Sequence, residues 1–113
     1  MPHLVVEYSR DVEAHTEISS LLQAAHEGAL GSGLFGAEDI KVRAYPCDHS
    51  LVGGKSGTSI HVTVYLLSGR DQAAQKALAE AVRSHIEGLD LPLQSLSVDC
   101  RDMDRSVYTK VVR

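Results

Sequence analysis

The sequence predicts an α+β fold in which two βαβ units form one four-stranded sheet with both helices on one face. Apolar residues alternate with polar ones in four segments and repeat at helical spacing in two others. The segments follow the order strand, helix, strand, loop, strand, helix, strand, which is one βαβ unit made twice. Each crossover should be right-handed and join parallel neighbours. A chain of 113 residues fits a single domain over residues 1-113.

The first strand starts at the amino terminus, where Leu4, Val6 and Tyr8 alternate with Val5 and Glu7. The helix that follows is predicted from an apolar stripe at helical spacing: Ile18, Leu21, Leu22, Ala25 and Ala29. We expect Asp11 and Glu13 in its first turn, because negative charge there suits the helix dipole. Four glycines are expected to end this helix and loosen the connection: Gly28, Gly31, Gly33 and Gly36.

The second strand has one apolar face and one cationic face. Ile40, Val42 and Ala44 form the first, and the second carries Lys41, Arg43 and Tyr45. The following segment, residues 46–58, contains three glycines and few apolar residues, which predicts a loop or an irregular hairpin. Its Gly-Gly-Lys-Ser-Gly run is not interpreted as a phosphate-binding loop. The first glycine of that motif is missing, and a strand rather than a helix follows.

The second unit contains the strongest strand pattern of the chain, with an apolar face of Ile60, Val62, Val64 and Leu66. The tetrapeptide from Ser68 to Asp71 matches a capping box, and a helical stripe from Ala74 to Ile86 follows it. Gly88 and Pro92 are expected to end that helix. The fourth strand is predicted from the alternation of Leu96, Val98 and Cys100.

Composition and charge limit the classes of partner that the chain is expected to bind. The chain is 43% hydrophobic and 23% charged with a net charge of −4, so nothing favours a nucleic acid. No apolar run approaches the length of a membrane span and no signal peptide precedes Pro2, which predicts a cytoplasmic protein without a membrane partner. Cys47 and Cys100 are expected to be free thiols. The six histidines form no helical metal pair, so no metal is expected.

Pro2 is the first candidate catalytic residue. If the initiator methionine is removed, its nitrogen becomes a secondary amine at the start of a buried strand. Desolvation and nearby cations lower the pKa of such an amine below the α-amino reference of about 7.7–8.0. An amine of that kind suits a general base near neutral pH. The competing interpretation is that Pro2 is only an ordinary second residue.

Three cations are candidates for binding a carboxylate ligand. Lys41 and Arg43 lie on one side of the second strand, and Arg70 lies where the third strand meets the second helix. Arg10 is the equivalent of Arg70 in the first unit. Arginine can bind a carboxylate with two parallel hydrogen bonds. Surface solubility is the competing explanation for each of these residues.

The outer face of the predicted sheet, opposite the helices, points to self-association. It carries Val5, His61, Tyr65 and Leu67, which together are too apolar to be left in water. A chain of this length also buries only a modest share of its surface. We therefore expect this face to be covered, most simply by other copies of the chain.

The amino-terminal octet Pro2-His3-Leu4-Val5-Val6-Glu7-Tyr8-Ser9 resembles that of the 5-carboxymethyl-2-hydroxymuconate isomerase family, part of the tautomerase superfamily. The similarity extends at a low level to three further segments: Gly33-Leu34-Phe35, Asp39-Ile40-Lys41-Val42-Arg43, and His61-Val62-Thr63-Val64 running into Gly69-Arg70. The resemblance implies a tautomerase-like fold, a homotrimer and a role in aromatic catabolism. It also implies 1,3-allylic ketonisation of an unsaturated 2-hydroxy di- or tricarboxylate, a small-molecule substrate.

The same resemblance implies roles for the candidate residues. Pro2 corresponds to the catalytic proline, Lys41 and Arg43 fall on two family arginines of the second strand, and Arg70 falls on the arginine after the third strand. Lysine at position 41 keeps the charge but lacks the planar fork of arginine. The tryptophan-bearing segment of the family is replaced by residues 46–48, which leaves the exact substrate open. No cofactor is expected, since the conjugated substrate holds the charge itself.

Two alternatives remain open from the sequence. One is a Pro2-dependent hydratase or dehalogenase on the same fold. It would need a carboxylate or hydroxyl beside Pro2 to activate water, and Glu7 and Tyr45 are the candidates. The other is a non-enzymic oligomer that binds a small molecule.

Overall fold

The computed structural model describes residues 1–113 and contains four strands and two α-helices in the expected order. They are β1 (His3–Ser9), α1 (Ile18–Gly31), β2 (Lys41–Cys47), β3 (Ser59–Leu67), α2 (Gln72–Glu87) and β4 (Ser95–Met103). Three short 3₁₀-helices span Arg10–Ala14, Ala37–Asp39 and Arg105–Val107. Neither α-helix is long and apolar enough to cross a bilayer.

The four strands form one sheet in the order β2-β1-β3-β4. Within each βαβ unit the strands are parallel, and the two units meet through the antiparallel pair β1 and β3. The predicted α+β class with two βαβ units is confirmed. Because β1 and β3 run in opposite directions, β1 and β2 begin at the sheet end where β3 finishes. We call this end, with Pro2 and Arg70, the proline end, and the other, with Ser9 and Ser59, the serine end.

The hydrophobic core lies between the sheet and the two helices. The alternating apolar residues of β1 and β3 face inward and are buried: Leu4, Val6, Tyr8, Ile60, Val62, Val64 and Leu66. The helices bury the other half of the core: Leu21, Ala24, Ala25, Ala29, Leu78, Val82 and Ile86. Full burial of one such Leu, Val or Ile stabilises the fold by about 1.5–3 kcal/mol. This core fixes which face of β1 and β2 is left for a ligand or a partner.

Gly28 lies inside α1 and not at its end, so the prediction that it ends the helix is wrong. A Cβ at this position would lie 2.7 Å from the Cα atom of Val82. The two helices therefore cross here in backbone contact, which only glycine permits. The helix ends at Gly31, and the left-handed turn that follows is made by Gly33, with φ of +76°.

The starts of both helices differ from the prediction. Asp11 and Glu13 belong to the 3₁₀-helix after β1, and α1 begins only at Ile18. The cap of α2 is Asp71, whose carboxylate accepts a hydrogen bond from the backbone nitrogen of Ala74 at 2.8 Å. Ser68 does not cap this helix. Its backbone nitrogen still donates to Met103 at 3.0 Å, so it continues the pairing of β3 with β4.

The connection between β2 and β3 is an irregular hairpin, as expected. The strand β2 runs on through Pro46 to Cys47, which is tolerated because β2 is an edge strand. Val52 and Lys55 exchange two backbone hydrogen bonds, of 2.7 and 3.2 Å. Gly53 and Gly54 form the two-residue turn between them, with φ values of +60° and +81°, as a tight hairpin turn requires. The Gly-Lys-Ser sequence therefore belongs to a hairpin and faces no helix terminus.

Candidate active site

Pro2 is fully buried at the start of β1, on the same side of the strand as the core residues Leu4 and Val6. Its carbonyl accepts a hydrogen bond of 3.0 Å from the backbone nitrogen of Lys41, which extends the pairing of β1 with β2 by one residue. With Met1 attached, the nitrogen of Pro2 is a tertiary amide without a basic lone pair. Only an amino-terminal proline at this position could accept a proton.

The amino group of Met1 reports on the environment of an amine at the proline end. Met1 is 9% exposed, and its amino group donates to the carbonyl of Asp39 at 2.8 Å. The side-chain nitrogen of Lys41 donates to the same carbonyl at 3.1 Å. Burial first, and then the charges of Lys41 and Lys110, lower the pKa of the Met1 amine below its usual value of 8.0. An amine at this position therefore loses its proton more readily than an ordinary α-amino group.

Arg43 lies on the outer face of β2, in register with Val5. Its Nη1 donates a hydrogen bond to Nδ1 of His3 at 3.2 Å. Nε2 of His3 lies 3.1 Å from the hydroxyl of Tyr108, in the carboxy-terminal tail. Burial and the neighbouring charge of Arg43 lower the pKa of His3 below 6.5. Arg43 thus reaches back along the strand toward the proline end.

Arg70 is half-buried and is held by the segment that joins α1 to β2. Its Nη2 donates to the carbonyl of Leu34 at 3.2 Å, and its guanidinium carbon lies 5.2 Å from the centre of the Phe35 ring. Nε2 of Gln75, on α2, donates to the backbone carbonyl of Arg70 at 3.2 Å. Contacts from both βαβ units therefore orient this side chain.

Charge is unbalanced at the proline end. Lys41, Arg43 and Arg70 form no ion pair, whereas the ion-paired cations of the chain lie elsewhere: Arg10, Lys76, Arg83 and Arg101. Backbone carbonyls and a neutral imidazole can orient a cation, but they leave its charge in place. A local excess of positive charge raises the concentration of anionic ligands. This arrangement suits a ligand that carries carboxylates.

The main surface cavities of the single chain lie away from these residues. One of about 520 Å³ lies between the two helices and is lined mostly by polar residues, among them Gln23 and His85. Another of about 470 Å³ lies at the serine end beside Cys47 and His61. None of the five main cavities is lined by Pro2, Lys41, Arg43 or Arg70, whereas Glu7 lines the one at the serine end. The proline end of one chain is therefore an open surface.

Glu7 and Tyr45 face each other in register across β1 and β2. Glu7 lies five residues along β1 from Pro2, which corresponds to about 16 Å of extended strand. Neither side chain stands beside Pro2 within one chain. The water-activating group that a hydratase would need is therefore not supplied by either of them from the same chain.

No role was predicted from the sequence for four neighbours of the candidate residues, namely His3, Leu34, Phe35 and Tyr108. For His3 a signal was available, because alternation puts it on the outer face of β1, beside the outer face of β2. For Tyr108 there was none, since its position depends on the path of the tail after β4. Leu34 and Phe35 belonged to a segment that drew attention only through the family resemblance.

Comparisons with known proteins identify the family and support the fold. The family model described as 5-carboxymethyl-2-hydroxymuconate isomerase matches residues 2–110. A crystal structure of a 5-carboxymethyl-2-hydroxymuconate delta-isomerase aligns with a TM-score of 0.79 at 19% identity, covering 100% of this chain and 89% of that one. An isomerase of the same description from Deinococcus radiodurans R1 gives 0.79 at 21% identity, covering 99% and 90%. A fused 4-OT, wild type and described as a symmetric trimer, gives 0.75 at 21%, covering 92% and 87%. A search of curated proteins found no match.

Proposed function

The chain belongs to the 5-carboxymethyl-2-hydroxymuconate isomerase family, and we propose that it ketonises an unsaturated 2-hydroxy di- or tricarboxylate with Pro2 as general base. The family assignment makes it an enzyme and an isomerase of the tautomerase type, as the sequence predicted. It also removes the alternative of a non-enzymic binding protein. The observation that carries the finer proposal is a buried amine position at the proline end, beside cations that have no carboxylate partner.

The proposed reaction moves one proton and changes no oxidation state. Once Met1 is removed, the neutral amine of Pro2 takes the proton from the 2-hydroxyl of the dienol. The oxygen electrons form the 2-keto group, and the double bonds shift along the chain. The protonated amine then delivers the same proton to the distal carbon and returns to its neutral form. Proton transfer by a positioned group contributes about 10²–10⁴-fold to the rate.

The cations are proposed to bind carboxylates and to stabilise the negative charge of the dienolate. Arg43 and Arg70 hold their guanidinium groups toward the proline end and have no carboxylate partner of their own. Lys41 acts mainly on the amine, because its charge disfavours a second positive charge nearby. Fixed charges directed at a developing anion are usually the largest contribution to catalysis. The conjugated substrate delocalises the electrons, so this scheme requires no cofactor.

We further propose that the enzyme is a homotrimer. The outer face of the sheet leaves Tyr65 exposed and Val5, His61 and Leu67 half-buried. In the tail, Val107, Val111 and Val112 are 79%, 70% and 72% exposed. A neighbouring copy would cover both regions and would add walls to the open proline end, with the tail pairing at its edge strand. Light scattering should report three chains at micromolar concentration, and a stable monomer would contradict this proposal.

The decisive test compares the protein with and without Met1. Inhibition of methionine aminopeptidase during expression gives the retained form, and intact mass identifies both forms. We expect only the processed form to ketonise 2-hydroxymuconate, followed by ultraviolet absorbance, while light scattering finds the same assembly for both. Pro2→Ala keeps an amine and should retain part of the activity. Equal turnover by the two forms would rule out Pro2 as the base.

A further inference from the structure

We propose that His3 is a positioning residue that directs Arg43 toward the substrate carboxylate, and that Tyr108 holds the ring of His3 in the orientation this contact needs. The inference rests on the proposed function, since it takes Arg43 to be a carboxylate-binding residue. His3 itself is not proposed to touch the substrate.

The side chain of Arg43 would be mobile without a partner. The residue is exposed on an edge strand, and a free arginine side chain there would sample many rotamers. Its side chain makes one hydrogen bond within the chain, from Nη1 to Nδ1 of His3 at 3.2 Å. This contact leaves the remaining guanidinium hydrogens free for a planar ligand such as a carboxylate. His3 therefore limits the directions in which Arg43 can point.

The contact with Arg43 fixes the tautomer of His3. A guanidinium group only donates hydrogen bonds, so Nδ1 of His3 must accept. A neutral imidazole then carries its proton on Nε2, which donates to the hydroxyl of Tyr108 at 3.1 Å. The two rings also meet edge to face, with their centres 6.2 Å apart. The tail, 105 residues away in sequence, thus holds the ring of His3 with Nδ1 toward Arg43.

Cationic groups surround His3. Lys41 and Arg43 approach it from β2, Lys110 from the tail, and the amino terminus from its own strand. Tyr65 is its partner in register on β3. Burial and these four cationic groups all lower the pKa of His3 below 6.5, so the ring is neutral at neutral pH. Acidification would protonate Nδ1 of His3, so the ring would no longer accept a hydrogen bond from Arg43 and its positive charge would repel the guanidinium group.

The experiment uses the processed protein and measures KM for 2-hydroxymuconate as a function of pH. His3→Phe removes the acceptor and should raise KM about tenfold near neutral pH, the effect of one hydrogen bond to a charged group. His3→Asn keeps an oxygen acceptor near the place of Nδ1 but cannot titrate. Its KM near neutral pH should stay near the wild-type value.

The pH profile separates positioning from a structural role. Wild-type KM should rise as the pH falls through the pKa of His3, which lies below 6.5, whereas the KM of His3→Asn should lack this component. Tyr108→Phe should raise KM by less than His3→Phe, because Nδ1 can still accept from Arg43 when the ring is no longer held. His85→Asn, an exposed histidine on α2, is the matched control and should keep the wild-type profile.

The outcomes distinguish this inference from the proposed function. If Arg43→Ala raises KM but His3→Phe and His3→Asn both follow the wild-type profile, the positioning role is wrong and the proposed function stands. If Arg43→Ala and Arg70→Ala leave kcat/KM unchanged, the carboxylate clamp of the proposed function fails first. A wild-type profile for Tyr108→Phe would reject the role of the tail. Should His3→Phe fold poorly, His3→Asn and Tyr108→Phe still decide the question.

Discussion

Arg10 and Arg70 occupy equivalent places in the two βαβ units, where the first strand of each unit leads toward its helix, yet their contacts differ in kind. Arg10 lies between two carboxylates, donating to Asp48 at 2.8 and 3.0 Å and to Glu13 at 3.2 Å. Arg70 meets a backbone carbonyl and an aromatic ring. The first guanidinium is neutralised by its own chain, and the second has no carboxylate partner within the chain.

The two sheet ends repeat this contrast. At the serine end, the hydroxyls of Ser9 and Thr58 donate to the carboxylate of Asp11 at 2.5 and 2.6 Å, and Ser9 accepts from the backbone nitrogen of Ser59 at 2.9 Å. These groups satisfy one another. The proline end has donors and cations in excess. A fold made of two similar units offers two candidate sites, and charge balance indicates that the proline end is the one for an anion.

The sharpest test of this comparison exchanges each arginine for alanine. Arg70→Ala should lower kcat/KM for 2-hydroxymuconate by about 10- to 150-fold, because one charge-assisted contact is worth about 1.5–3 kcal/mol. Arg10→Ala should leave kcat/KM unchanged. Thermal melting of both variants shows whether the fold is intact. Equal losses of activity would mean that the two ends do not differ as the contacts indicate.

Ser9→Ala should lower stability and spare activity, the reverse of what is expected for Arg70→Ala. This change removes the acceptor of the backbone nitrogen of the half-buried Ser59 and a donor to Asp11, which should lower the free energy of unfolding by about 1–3 kcal/mol. Activity per folded enzyme should not change, because the proposed function places the substrate at the proline end. Urea unfolding at fixed protein concentration measures the free energy of unfolding, and steady-state kinetics measure the turnover of the folded enzyme. A loss of turnover at full folding would contradict the separation of the two ends.

Lys41→Ala tests the charge of the proline end by its effect on the base. Without this cation, the pKa of the Pro2 amine should rise, so the acidic limb of the kcat/KM profile should move to higher pH. Lys76→Ala, which removes an exposed cation paired with Glu80 on α2, is the matched control. Superimposable profiles for Lys41→Ala and the wild type would remove Lys41 from the account of the base.

The smallest expected effect is a difference in acid sensitivity: as the pH falls, the proline end should lose its contribution to the free energy of unfolding before the serine end does. The pKa of His3 is lowered in the folded chain, so the unfolded chain binds its proton first and stability falls as the pH drops below about 6.5. The pKa of Asp11 is lowered mainly by the hydroxyls of Ser9 and Thr58. Its contribution is complete above about 3.8 and is lost only at more acidic pH.

Urea unfolding across this range measures both steps. His3→Asn should flatten the step near pH 6 and leave the more acidic one. Asp11→Asn should do the reverse. A profile in which both variants alter the same step would show that the ends are not independent.

The sequence predicted the fold where the signal was local. Alternation in β1 and β3 identified the buried faces, and the order of elements identified the two βαβ units. It failed at Gly28, because a close helix crossing depends on the partner Val82, which lies on another element. It also took Ser68 for the helix cap, although the chain stays in the sheet at that residue.

The candidate site was predicted in the same uneven way. Lys41 and Arg43 could be chosen from strand alternation and Arg70 from its place between the third strand and the second helix, and the family resemblance singles out all three. The partners that orient them could not. Tyr108 reaches His3 only through the path of the tail, and Leu34 meets Arg70 only because antiparallel β1 and β3 bring distant segments to one sheet end. Pairwise contacts between remote segments leave no periodic pattern in a sequence.

The burial of Met1 has a consequence for the order of events during biosynthesis. In the folded chain its side chain is enclosed and its amino group is bound to the Asp39 carbonyl. An aminopeptidase requires an extended, accessible terminus, so we expect the methionine to be cleaved while the nascent chain is still unfolded. Purified protein that has kept Met1 should resist methionine aminopeptidase until urea opens the fold, as intact mass would report. Enzyme that folds before this cleavage would remain a stable but inactive population, set by competition between processing and folding at the ribosome.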